Sequence, residues 1–115
     1  MELKPAIRAL RQSCGAIASA VISRDGLVIA ADLPEGVSME TFAIMCATLM
    51  GAASTAHSEL RISTPMHVVV ESEDAKMIVV GAGRKAIIVT VVGRKGNVDV
   101  AKKKLDELAD TIKMI

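Results

Sequence analysis

The chain has 115 residues, of which 51% are apolar and 23% charged, and its net charge is +1. That length suits one domain with a sizeable core, so residues 1–115 are expected to fold as a single unit. The small net charge and the absence of Tyr and Trp exclude a basic field or stacking platforms for nucleic acid. The apolar share is above the usual one and points to extra buried surface, as in an obligate oligomer. No signal peptide is expected ahead of the first helical segment. Cys14 and Cys46 both lie in apolar surroundings and read as reduced core residues of a cytoplasmic protein.

Residues 2–14 carry Leu3, Ile7, Leu10 and Cys14 at helical spacing, with Pro5 in the first turn and Gly15 as the stop. Ala16 to Ser23 reads as a strand. Arg24-Asp25-Gly26 follows, and Asp-Gly between apolar runs predicts a hairpin with both turn residues at φ > 0. Leu27 to Ala31 is then the returning strand, and Leu33 to Gly36 a loop.

A long helix is predicted from Ser38, a good N-cap, to about Ile62. From Thr41 to Ser58 it carries no charge for eighteen residues. One flank is bulky: Phe42, Met45, Cys46, Leu49, Ala53, Ala56 and Leu60, which are expected to face the core. The other flank is a stripe of mostly small residues, Ile44, Ala47, Gly51, Ser54, Thr55 and Ser58. A solvated face normally carries Lys and Glu, so this stripe is expected to meet a second helix, most simply its own copy in a dimer. A membrane span needs about 20 predominantly apolar residues. Thr48, Ser54, Thr55, His57 and Ser58 interrupt this run, so no membrane insertion is expected.

Pro65 opens a third strand, Met66 to Glu71 or Ser72. Lys76 to Ala82 and Ala86 to Val92 are the fourth and fifth strands. Asn97 caps a last helix with Val98, Ala101, Leu105, Leu108, Ile112 and Ile115 on one face. The order α-β-β-α-β-β-β-α gives a mixed α+β fold with a five-stranded antiparallel sheet. Val68-Val69-Val70 and Ile87-Ile88-Val89 are apolar on both sides, so both sheet faces need covering. The central helix is expected on one face and the terminal pair on the other. Joining the hairpin to the meander through the first and fifth strands leaves the second and third strands as edges. The third, with Val68, Val69 and Val70, has no Lys or bulge to protect it. It is expected to pair with the same strand of a second copy, which would also bring two central helices together.

Little in the chain points to chemistry. His57 and His67 stand without a cluster of metal-ligating spacing, no nucleophile motif occurs, and neither cofactor nor metal is expected. Gly81-Ala82-Gly83-Arg84-Lys85 lacks the length of a phosphate loop and leads into a strand, so it reads as a hairpin turn; contact with a nucleotide-bearing partner is the alternative. Arg84-Lys85 and Arg94-Lys95 flank the fifth strand and fall at opposite ends of the sheet. Lys102 and Lys103 precede Asp106 and Glu107 by four and are expected to form weak surface pairs. Ala43, Met50 and His57 along the helix edge are candidates for a plastic partner contact.

The hairpin AVISRDGLVIAA, the polar-poor helix after it, the strands KMIVVGAGRKAIIVTVV and the closing helix NVDVAKKKLDELADTI resemble the roadblock family of dynein-light-chain-like proteins over essentially the whole chain. The resemblance implies a profilin-like fold and a homodimer built from the third strand and the central helix. It also implies a non-enzymatic scaffold that binds and regulates a small Ras-like GTPase. Arg24 and Arg84 are then exposed candidates for an arginine finger. The rival readings are an adaptor subunit of a larger assembly without a GTPase, and a small-molecule sensor.

Overall fold

The computed structural model describes residues 3–113. Its elements are α1 (Leu3–Cys14), β1 (Ala16–Ser23), β2 (Val28–Asp32), α2 (Met39–Glu59), β3 (His67–Glu71), β4 (Ala75–Ala82), β5 (Ala86–Gly93) and α3 (Val98–Lys113). The expected order is the observed one. Glu2 and Ile115, expected in the terminal helices, lie outside the described residues.

All five strands form one antiparallel sheet in the order β2-β1-β5-β4-β3. β5 is central, and β2 and β3 are the edges, as the hairpin-plus-meander reasoning requires. Side chains alternate between the two faces. On one face Val21, Ile78, Val80, Ile88 and Val92 meet α1 and α3 through Ile7, Leu10, Leu105 and Leu108. On the other, Ala20, Ile22, Val79, Ile87 and Val89 meet α2 through Ala43, Cys46 and Met50. The two-helix face is the more heavily covered.

The β1–β2 turn differs from the expected form. Gly26 sits at φ 92°, but Asp25 does not adopt a positive φ. The Gly26 N–H donates to Ser23 O at 2.9 Å, and Ser23 N–H to Leu27 O at 2.8 Å. Three residues therefore make the turn, with glycine supplying the left-handed corner. Gly26 also allows close approach, since a Cβ there would lie 3.2 Å from the Ile44 Cα of α2.

The end of α2 is set by a device that the sequence does not advertise. Ile62 N–H donates to His57 O and Arg61 N–H to Ser58 O, both at 3.0–3.1 Å, and Arg61 takes φ 57°. This is a Schellman cap with Arg where Gly is usual.

The centre of the sheet holds one polar pair. Ser19 and Thr90 are cross-strand partners, 1% and 0% exposed, with their hydroxyl oxygens 2.8 Å apart. Thr90 Oγ1 also donates to Ala18 O at 3.3 Å. Thr90→Val strands the Ser19 hydroxyl in an apolar layer, and should cost about 1–3 kcal/mol. Ser19→Ala/Thr90→Val together should recover most of that loss. Urea unfolding of the two variants checks this, and a double variant no more stable than the single one would count against the pair.

Candidate interaction surface

β3 has a single strand neighbour, β4, so its outer backbone groups are open. Its register pairs Val68 with Val79, Val69 with Ile78 and Val70 with Met77. Val68 is half-buried against the α2 cluster, while Val69 and Val70 are 42% and 43% exposed. His67 Nε2 lies 3.0 Å from Asp106 Oδ1 and ties the edge strand to α3. Asp106 therefore pairs with His67 rather than Lys102, and Glu107 lies 4.0 Å from Lys104 rather than pairing with Lys103.

α2 begins on the predicted cap, with Ser38 Oγ accepting from Thr41 N–H at 3.3 Å. Its orientation corrects the expected one. The line that meets the sheet is Ala43, Cys46 and Met50, which runs between the bulky flank and the small stripe. Small residues there let the helix lie close to the strands. Ala43 is 0% and Met50 3% exposed, so neither reaches a partner. His57 is half-buried on the same inner line, with Nδ1 2.7 Å from Ser63 O. The assignment of Ala43 and Met50 as partner contacts is thus overturned, while His57 keeps part of its surface open. Met45, Ala56 and Leu60, expected in the core, are exposed.

The stripe itself is largely open. Ile44, Gly51, Thr55 and Ser58 are exposed, while Ala47 and Ser54 are half-buried. A Cβ on Gly51 would meet nothing within 4 Å. With Met45, Thr48, Ala52 and Ala56, these residues make a broad exposed face that carries no charge from Thr41 to Ser58. Sequence reasoning narrowed this face to a stripe; the absence of charge around the whole circumference of the helix was the signal for its true width. Leu60, Ile62 and Met66, in the connection from α2 to β3, are also exposed. Val68 packs against the cluster that α2 helps to cover, so it faces the α2 side of the sheet. Exposed apolar surface of this kind is a common feature of interaction surfaces.

The two arginines singled out from the sequence come together. Arg24 of the first turn donates through Nη2 to Gly83 O at 2.8 Å, and Arg84 follows in the β4–β5 turn. Both line one cleft beside α2. Arg94 is at the far end of the sheet, where its Nε donates to Glu73 O at 2.9 Å.

The cysteines are buried and unbridged, and lie in separate clusters on opposite faces of the sheet. Burial pushes both thiols up, Cys46 from 9.0 to about 11. The folded Cys46 thiol holds its proton more tightly than the unfolded one. Its contribution to stability is therefore complete below about pH 9 and is lost as the pH rises through about 11. At pH 8 neither thiol should react with a disulfide reagent in the folded protein, and both should react in denaturant. Rapid reaction of the folded protein would contradict the burial. Among the described residues no group of three His, Cys, Asp or Glu could hold a metal, and no helix is long and apolar enough to cross a membrane.

The domain model that matches the chain is the Roadblock/LC7 domain, over residues 6–92. The chain belongs to the Roadblock/LC7 family. The match runs from α1 through most of β5, so it takes in both the open edge and α2. Among its relatives, the uncharacterized protein MJ0714 of Methanocaldococcus jannaschii is 34% identical over 104 residues, which are 90% of this chain and 87% of that protein. An MglB structure described as having a tetrameric arrangement superposes with a TM-score of 0.87 at 20% identity, over 96% of this chain and 84% of that one. Acanthamoeba castellanii profilin IB superposes with a TM-score of 0.73 at 17% identity, over 98% of each chain. These two likenesses are of fold, and they make this Roadblock/LC7 chain profilin-like.

Proposed function

We propose that residues 1–115 form one cytoplasmic domain that works as a homodimer. In it β3 pairs with β3 of a second copy, so that one sheet runs through both subunits. The α2 helices then cross along the faces that carry Ile44, Ala47, Gly51, Ser54, Thr55 and Ser58. The dimer is a non-enzymatic scaffold whose paired helices dock and regulate a small Ras-like GTPase. Where it speeds hydrolysis, it orders the switch segments of the GTPase.

One observation carries this reading: an uncharged helix face and an unprotected β edge both stand exposed in the same subunit. Family membership and the oligomeric arrangement named for the MglB neighbour support it.

Light scattering tests the dimer, and pull-down of a Ras-like GTPase loaded with GTP or GDP tests the partner. A dimer that prefers one nucleotide state is the expected result. A dimer indifferent to both states would shift the reading to an adaptor subunit, and a monomer would remove the platform itself.

A further inference from the structure

The β4–β5 turn, the C-terminal half of α2 and the segment entering β3 enclose a cleft of about 470 Å³. That volume lies within the range of small-molecule sites. Arg24, Arg84 and Lys113 line it, and among the described residues no carboxylate does. Met50, Pro65 and Met66 supply apolar wall.

Arg24 is held in place from two sides. Gly83 O accepts from its Nη2 at 2.8 Å, and the same nitrogen lies where a Cβ on Gly81 would come within 2.8 Å. Glycine at 81 is what lets the guanidinium lie across β4. One of its five N–H donors is used by Gly83, and the others remain to bind something else. Arg11 pairs with Asp32 at 2.6 Å, and Lys104 lies 4.0 Å from Glu107. Lys113 leans on Asp110 at 3.6 Å, whereas Arg24 and Arg84 form no ion pair with any described residue. Two planar guanidinium groups in a concave cleft whose described lining holds no carboxylate match a phosphate group, which each can grip through two N–H donors.

We propose that this cleft binds the phosphate group of a small molecule, gripped by Arg24 and Arg84, with the organic part against the apolar wall. Neither arginine lies on the exposed α2 face or the β3 edge, although Ser54 and Met66 border both the cleft and that surface.

The test is titration of the full chain, labelled with ¹⁵N, by inorganic pyrophosphate against sodium chloride at matched ionic strength. Saturable shifts confined to the amides of Thr64, Gly81, Gly83 and Arg84 are expected. Arg84→Gln should weaken binding about tenfold or more and leave the melting temperature unchanged. Gly81→Ala should weaken it as well, by pushing the Arg24 guanidinium aside. Arg24→Gln also removes the bond to Gly83, so Arg84→Gln is the deciding variant. Failure to saturate, equal shifts around Arg94 and Lys95, or unchanged affinity in Arg84→Gln would each overturn the site.

Discussion

Gly51→Arg should turn the proposed dimer into a monomer while leaving its melting temperature near that of the parent. Within one subunit the substitution is harmless. Position 51 is exposed, and a Cβ there has open space around it. Replacing glycine inside a helix even gains about 0.8–1 kcal/mol of propensity. Between two crossing helices the same change buries an unpaired guanidinium. That costs about 3–5 kcal/mol, so self-association should weaken at least ~100-fold. The edge can be probed in parallel. Adjacent residues on a strand direct their N–H groups to opposite sides. Of Val68→Pro and Val69→Pro, one therefore breaks the ladder to β4 and lowers stability. The other should fold normally and stay monomeric. Sedimentation equilibrium reads both results. If Gly51→Arg and both proline variants keep the parent's mass, the proposed interface is wrong.

Ile88→Ala should cost about 3–4 kcal/mol of folding stability, the largest loss expected from one side chain here. Ile88 is fully buried on the central strand, between Val21 of β1 and Val80 of β4. It belongs to the layer under α1 and α3, which has helices on top and strands on both sides. Such a site collapses poorly around a cavity, so the transfer and cavity costs add. Denaturant unfolding measures the loss. A change under about 1 kcal/mol would mean that this layer is looser than its burial indicates.

The architecture was legible because its signals are local. Asp25-Gly26 marks one turn, Gly83 another, and Asn97 caps α3, where its Oδ1 accepts from Val100 N–H at 3.0 Å. Apolar periodicity places α3 correctly, with Ala101, Leu105 and Leu108 buried. Short turns set the hairpin and the meander, and joining them in the simplest way through β1 and β5 handed the edges to β2 and β3. The inner line of α2 was not legible. Its circumference is apolar or small almost everywhere, so periodicity offers no contrast between inside and outside. Bulk suggested Phe42, Met45 and Leu49; Phe42 and Leu49 do pack partly against the cluster, but Met45 is exposed and Ala43, Cys46 and Met50 make the buried line. The Ser19–Thr90 pair was also hidden, because a lone hydroxyl in an apolar strand says nothing of its opposite number. Nor could spacing reveal that Arg24 and Arg84, sixty positions apart, share a cleft.

The sheet is a partition, and the chain keeps one sulfhydryl in each compartment. Cys14 reports on the side roofed by two helices, Cys46 on the side roofed by one. Single Cys→Ser versions would follow each compartment alone as denaturant rises. If the one-helix roof lifts first, Cys46 becomes modifiable at a concentration where Cys14 is still shielded. The protein thus has, without added labels, a way to show the order in which its two halves come apart.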